Sequence, residues 1–194
     1  MSLSVTNKGP DGNSTATLAA ANAARDFSYI VHDHFHNVER WFGASAGQVA
    51  PGIKTPAGIV TPYRVTTSAV AGALGTEIAV FNGTETFLAF QTLFDPHRLN
   101  IVNVQGAATY MLRMAFNANG ETTFAAAVAN NHYTDIVFKV DATNNDSVPI
   151  DIKCGRMPVG SKVWIAAAKT PAGPSAYWIE FYLGCHAYPA RPGI

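Results

Sequence analysis

AANAARDFSYIVHDHFHNVERW, residues 20–41, is the stretch from which we predict the fold of the N-terminal part of the chain. Read as a helix, it places seven residues at alternating spacings of four and three, which is typical of a narrow seam between helices. These residues are Ala20, Ala24, Phe27, Val31, His34, Val38 and Trp41. Ser14 and Thr15 can cap the start of the helix, and Gly43 can end it. We therefore predict an N-terminal helix whose seam is an oligomer interface.

A β-strand is the alternative for the same stretch. Strand periodicity puts His32, His34 and His36 on one face, beside Ile30 and Val38, which would make sense around a metal ion. In a helix one chain cannot direct all three imidazoles to one side, so His34 is then the single metal candidate, meeting its symmetry mates on a threefold axis. The interpretation we prefer is an unmetallated polar layer, with no cofactor.

The composition favours an assembled protein. Only 13% of the 194 residues are charged and the net charge is zero, against a usual charged share of about 25%. So little charge repels neighbouring molecules weakly, and it indicates that much of the surface is covered in an assembly. There is no basic run that would bind nucleic acid, no apolar run of about 18 residues that would span a membrane, and no signal-peptide pattern at the N-terminus.

Proline and glycine divide the chain. Residues 44–62 are too rich in both for a helix or a central strand, and we predict that they link an N-terminal arm and helix (1–43) to a second domain (63–194). In that domain the apolar period changes to two, which predicts ten short strands. They are Tyr63–Val70, Glu77–Phe81, Thr86–Thr92, Leu99–Val104, Thr109–Phe116, Thr122–Val128, Asp135–Val140, Pro149–Lys153, Lys162–Ala168 and Tyr177–Cys185.

Turn signals between these strands complete the fold prediction. Asn82-Gly83 and Asn119-Gly120 each separate two strands, as in hairpins with type I′ turns. The expected fold is mainly β: an N-terminal helix, whose seam can form a trimeric coiled coil, followed by a jelly-roll-like antiparallel β-sandwich. Cys154 and Cys185 could pair in this domain, but in a reducing compartment buried thiols are the more common outcome.

No group of residues forms a catalytic pattern. Residues 43–47 match G-x-S-x-G, but the motif follows a helix, so Ser45 lacks the strand-turn-helix setting of a hydrolase nucleophile. Glu85, Glu121 and Glu180 lie in different predicted hairpins, and nothing in the sequence pairs them as acid and base. The aromatic residues that could stack on a sugar are more often core or interface residues. They are Trp41, Tyr177, Trp164, Trp178 and Tyr182.

Two short stretches carry a resemblance. Residues 33–43, DHFHNVERWFG, together with an all-β remainder that closes on FYLGCHAYP at 181–189, resemble virion structural proteins of tailed bacteriophages. The similar proteins are trimeric capsid decoration, head-fibre and tail-fibre proteins that join a helical or threaded N-terminal part to a jelly-roll domain. Phage fibres that this chain resembles in its His-x-His steps use such steps to hold iron on the trimer axis, but they do so on extended strands.

The resemblance implies a non-enzymatic, homotrimeric virion protein, made in the host cytoplasm and located on the particle. As a capsid decoration or head-fibre protein it would bind the major capsid protein or another virion protein. The alternative is a tail-fibre tip that binds a glycan or receptor. A third hypothesis, a cupin-like metalloenzyme, requires His32, His34 and His36 on one strand with a metal.

Overall fold

The computed structural model describes residues 40–44, 61–84, 91–141, 148–173 and 175–189, all within one compact unit, Glu39–Ile194. The predicted N-terminal helix and most of its seam therefore lie outside the described residues and stay a prediction. The seam residues outside are Ala20, Ala24, Phe27, Val31, His34 and Val38. His32, His36 and Ser45 also lie outside.

The described residues form ten strands and one short helix. In chain order these are β1 Arg40–Phe42, β2 Tyr63–Thr66, β3 Ile78–Asn82, β4 Gln91–Val104, β5 Ala108–Phe116, α1 Phe124–Ala129, β6 Tyr133–Val140, β7 Val148–Asp151, β8 Met157–Pro158, β9 Lys162–Thr170 and β10 Trp178–Pro189. Sheet A has the order β1-β10-β4-β7, with β2 also on β10 and β8 also on β4, and sheet B has the order β3-β9-β5-β6. Every pair of named strands is antiparallel, so the prediction of a mainly β, antiparallel sandwich is confirmed.

The strand order follows from a single long hairpin. Its tip is the pair β5 and β6, and moving outward along the two arms the pairs are β4 with β7 and β8, β3 with β9, and β2 with β10. Successive pairs alternate between sheet B and sheet A, so the hairpin wraps around itself. The wrapping creates two further pairs. β4 pairs with β10 and joins the strand pairs of sheet A, and β5 pairs with β9 and joins those of sheet B.

Alternation along the strands places the core between the sheets. In β10 the core residues are Ile179, Phe181 and Leu183, and each is fully buried. Three phenylalanine rings connect the two sheets: Phe81 of sheet B meets Phe42 of β1 at 4.9 Å and Phe94 of β4 at 5.4 Å, both edge to face. Edge-to-face contacts of this kind are favourable beyond the area they bury.

β1 and β2 act as one interrupted strand. Both pair with the same edge of β10, where Phe42 lies opposite Leu183 and Tyr63 lies opposite Phe181. A backbone hydrogen bond of 2.6 Å from Ala44 N to Thr61 O joins the end of one to the start of the other. Trp41, which the sequence analysis placed at the end of a helix, lies in β1, so the helix prediction is wrong for residues 40–42. Pairing with β10 determines the conformation there.

The predicted strand Thr122–Val128 is also wrong, because this segment contains α1. The Thr123 hydroxyl accepts a hydrogen bond of 3.2 Å from Ala126 N and caps the helix, and Ala127 packs against Ala115 and Trp164. The hairpin predicted at Asn119-Gly120 therefore does not form, since β5 is followed by a helix.

Two predictions about β3 and β4 also need correction. Gly83 has the positive φ of 85° that its predicted turn requires, but β3 pairs with β9, and β4, the next strand that the structure describes, lies in the other sheet. The predicted partner strand, Thr86–Thr92, lies mostly outside the described residues. β4 is one strand that runs through Pro96, whereas the sequence analysis predicted two separate strands, Thr86–Thr92 and Leu99–Val104, on either side of it. A register shift beside Pro96 accommodates a residue without an N–H donor. Cys154 and Cys185 are not joined by a disulfide, so both keep their thiols.

Candidate binding surface on sheet A

The face of sheet A that points away from the core carries aromatic and polar side chains. Since Ile179, Phe181 and Leu183 face the core, their neighbours along β10 face outward. We call this surface the outer face of sheet A, and it is formed by Trp41, Arg64, Asp95, Asn100, Asn103, Trp178, Glu180, Tyr182, His186 and Tyr188. Strand pairing places Arg64 opposite Glu180, Asn100 opposite Tyr182 and Asp95 opposite His186.

At one end of this face, the Glu180 carboxylate accepts hydrogen bonds from two neighbouring side chains, Arg64 and Asn103. Its Oε1 accepts from Arg64 Nη2 at 2.6 Å and Nε at 3.0 Å, and its Oε2 accepts from Asn103 Nδ2 at 3.4 Å. The Arg64 guanidinium also lies over the Trp178 ring, 4.7 Å from its centroid. The Glu180 side chain is only 16% exposed, whereas that of Arg64 is 58% exposed. The carboxylate is thus fixed, and the cation remains accessible to a ligand.

The middle of the face holds Trp41 and Tyr182, both half-buried. Burial, and then the charge of Glu180, raise the pKa of the Tyr182 phenol, which keeps its hydroxyl protonated. Trp41 lies opposite Gly184 in the pairing of β1 with β10. Together these residues form an aromatic centre with a hydrogen-bonding group on Tyr182.

At the other end, the side chains are buried and polar. The Tyr188 hydroxyl donates to Asp95 Oδ2 at 2.9 Å, and the Arg156 guanidinium covers the Tyr188 ring at 3.9 Å. His186, 2% exposed, has Nδ1 3.8 Å from Asp95 Oδ1, and its ring lies 4.0 Å from that of His97 with the two planes tilted by 31°. We call this group the Asp95 cluster.

The chemistry of the Asp95 cluster favours a structural or binding role over covalent catalysis. Burial, and then the charge of Asp95, raise the pKa of both Tyr188 and the nearby Cys154 to about 12. The Cys154 thiol donates to Pro96 O at 3.2 Å. A cysteine is a good nucleophile as the thiolate, which these conditions disfavour. The groups that could attack a substrate are therefore held protonated.

A second group of titratable residues surrounds Glu121, which the sequence analysis left without a partner. Glu121 accepts from Asn130 Nδ2 at 2.9 Å and from Asn119 N at 2.8 Å, and it lies 2.6 Å from His132 Nδ1. The Asn130 amide and then the Asn119 N–H lower the pKa of Glu121 to about 2. This carboxylate is ionised at neutral pH and holds the connection from β5 through α1 to β6, so its role is structural.

The aromatic residues proposed for sugar stacking separate in the structure. Trp41, Trp178 and Tyr182 lie on the outer face of sheet A, whereas Trp164 is buried beside α1. Tyr177 packs against the core, and Lys169 Nζ lies 4.6 Å from its ring centroid. Three of the five thus share one surface.

Metal and membrane features can be assessed for part of the chain. Within the ranges the structure describes, no group of three or more His, Cys, Asp or Glu side chains could hold a metal ion. His34, the metal candidate, is outside those ranges. Across the same ranges, no helix has the length and apolar character needed to cross a bilayer.

Comparison with known proteins finds no matching family model and no matching curated protein. Among solved structures, the chain is similar to a chain of the human norovirus GI.7 Houston strain virus-like particle, with 11% identity, a TM-score of 0.30, and coverage of 68% of this chain and 32% of that one. It is also similar to a mutant VP2 protein of infectious bursal disease virus, with 15% identity, a TM-score of 0.27, and coverage of 76% of this chain and 36% of that one. A chain of the Gt strain of that virus is similar too, with 15% identity, a TM-score of 0.26, and coverage of 76% of this chain and 37% of that one. The chain spans about a third of the length of these chains.

Proposed function

We propose that the chain is a structural virion protein of a tailed bacteriophage, a homotrimeric capsid decoration or head-fibre protein with a jelly-roll domain. The wrapped hairpin supports the fold part of this proposal. Its arms supply eight strand positions in two four-strand orders, β2-β10-β4-β7 and β3-β9-β5-β6, which is the arrangement of a jelly roll. Jelly rolls build both viral capsid and lectin domains, so the fold supports particle assembly and glycan binding alike.

The observation that carries the choice between them is the outer face of sheet A. Protein interfaces are enriched in Trp, Tyr and Arg, and here Trp41, Trp178, Tyr182 and Arg64 lie on one surface. Of the two carboxylates on this surface, Glu180 is paired with Arg64 and Asp95 accepts a hydrogen bond from Tyr188, so both are engaged before another protein is bound. A surface of this kind suits burial against a neighbouring virion protein.

The two parts of the chain then have different roles. The rest of the predicted seam, from Ala20 to Val38, would form the trimer, and the outer face of sheet A, which includes Trp41, would bind the major capsid protein or another virion protein. The low charged fraction of the whole chain, 13%, supports a role as a subunit of a stable assembly, in which much of the surface contacts other proteins.

Co-sedimentation of the full chain with capsids assembled from the major capsid protein tests this proposal. We expect binding, and light scattering should give a whole multiple of the trimer mass, which is three times the chain mass of 20.6 kDa. Trp178→Ala with Tyr182→Ala should weaken capsid binding at least about tenfold, because truncating an aromatic interface residue commonly costs more than about 1.4 kcal/mol. Tyr133→Ala, on sheet B, is the matched control and should bind normally. Wild-type binding by the double variant would refute the role of this surface.

A second candidate function is glycan binding by a tail-fibre tip. It is favoured by the Trp178 ring beside the fixed Glu180 carboxylate and the Asn103 amide, groups that stack on and hydrogen-bond to sugars. A glycan array separates the two functions. Sugar binding that is lost in Trp178→Ala, together with no capsid binding by the wild-type chain, would favour the fibre tip.

A further inference from the structure

β6, Tyr133–Val140, is the last strand of sheet B in the described part of the chain. It pairs with β5 along one edge, and its other edge has no strand partner among the described residues. Because backbone groups alternate in direction along a strand, half of the N–H and C=O groups of β6 point away from β5. An eight-residue edge of this kind is a template for another strand unless side chains oppose pairing.

The side chains of β6 differ between its two faces. Ile136 is buried and Phe138 packs on the core, where its ring stacks on Tyr110 at 5.4 Å. Asp135, Val137 and Lys139 are exposed on the opposite face. Val137 is 64% exposed, a large exposure for an aliphatic side chain at the centre of an ordered strand. The outward row thus has an acid and a base at equal distances on either side of a valine.

We propose that β6 pairs antiparallel with β6 of a second copy of the chain, in the register that places Val137 opposite Val137 of the second copy. In this register Asp135 lies opposite Lys139 of the second copy, and the twofold axis repeats the pair on the other side. Opposite charges across a strand pair are favourable and like charges are not. A slip of two residues places neither Asp135 nor Lys139 opposite a residue of opposite charge. A slip of four residues places Asp135 opposite Asp135 or Lys139 opposite Lys139, so charge favours the register centred on Val137.

The neighbouring side chains fit this pairing. Arg113 holds Asp135 by two bonds of 2.7 Å, which fixes the carboxylate on the outward face. Lys139 is bound at 2.6 Å to Asp141, but both side chains are mostly exposed, 69% and 81%, so Lys139 can exchange partners at little cost. On the core side, Ile136 would lie opposite Phe138 of the second copy and extend the apolar layer. The pairing uses neither the outer face of sheet A nor the predicted seam, so it goes beyond the proposed function.

Cysteine cross-linking in the full chain tests the register. Directly opposite residues have Cβ atoms about 4.5 to 5.5 Å apart, near the range of a disulfide, so Val137→Cys should give covalent dimers on a non-reducing gel after mild oxidation. Asp135→Cys and Lys139→Cys should each stay monomeric on the gel, since a residue and its symmetry mate are then about 13 Å apart along the strand. A mixture of these two variants should cross-link. The wild-type chain measures the background from Cys154 and Cys185.

Substitution by lysine tests the interface without cross-linking. Val137→Lys should reduce the sedimentation coefficient of the oligomer, because the lysine and its symmetry mate then lie opposite each other. Val70→Lys is the matched control, since Val70 is 65% exposed, and it should leave association unchanged. The proposal is overturned if folded Val137→Cys gives no more dimer than wild type, if Asp135→Cys cross-links to itself as efficiently, or if the two lysine variants sediment alike.

Discussion

Phe81→Ala tests the ring contacts that hold the two sheets together. Phe81 is fully buried, and its ring meets Phe42 and Phe94 of the opposite sheet. Truncating a buried phenylalanine costs about 3 to 5 kcal/mol, through lost burial and the cavity that remains. Domains of this kind have about 5 to 15 kcal/mol of stability in total, so the loss is a large fraction. At about 2 to 4 °C per kcal/mol, the melting temperature should fall by about 6 to 20 °C.

Urea unfolding followed by circular dichroism measures the free energy of unfolding of this variant. A double-mutant cycle with Phe42→Ala isolates the ring pair, whose coupling we expect at about 0.5 to 1.5 kcal/mol. A loss below about 1 kcal/mol in Phe81→Ala, with the native circular dichroism retained, would refute the claim that these rings join the sheets. Additive single substitutions would show that Phe42 and Phe81 contribute independently.

Three further predictions concern local contacts. Because hydrogen bonding, first from Asn130, lowers the pKa of Glu121 from 4.5 to about 2, its contribution to stability is present above pH 4.5 and is lost as pH falls towards 2. In a plot of melting temperature against pH, Glu121→Gln should reduce the fall in melting temperature between pH 4.5 and pH 2. A fall as steep as in the wild-type chain would contradict the assignment. Thr123→Ala should cost about 1 kcal/mol in urea unfolding, through loss of the α1 cap. Gly75→Ala should sharply reduce the yield of folded protein, since a Cβ there would overlap the Thr66 carbonyl oxygen.

The strands were predictable where alternation alone determines them. β5 was expected at Thr109–Phe116 and is found at Ala108–Phe116, because its residues alternate between buried and half-buried positions along its length. β6 was located by the same signal, whereas β9 is buried along most of its length and appears in the sequence as a nearly continuous apolar run. Strand β8, only two residues long, leaves no periodic signal in the sequence.

The errors arose where tertiary contacts decide between two local conformations. The six residues of α1 are too few for a helical period to show, and their helix depends on the Thr123 cap and on packing of Ala127. Trp41 fits a helical seam by spacing, but pairing with β10 places it in a strand. The rest of the predicted helix lies outside the described residues and stays a prediction.

The candidate surface could be predicted only in part. The sequence analysis noted Trp41, Trp178 and Tyr182 as a possible sugar-stacking set, but could not tell them from Trp164, which strand pairing buries. The Asp95 cluster was missed altogether, since residues 93 positions apart meet in it through the register of β4 and β10. Strand partners cannot be read from periodicity.

The interruption between β1 and β2 has a consequence for engineering. β1 ends at Phe42 and β2 begins at Tyr63 on the same edge of β10, and one hydrogen bond, from Ala44 N to Thr61 O, joins the two ends. A foreign peptide placed within residues 45–60 would therefore leave the sheet register unchanged. The entropic cost of loop closure rises by only about 0.6 kcal/mol for each doubling of loop length, so even a long insert should reduce the stability of the domain only slightly. Residues 45–60 are thus an insertion site at which epitopes or affinity tags could be displayed on this domain.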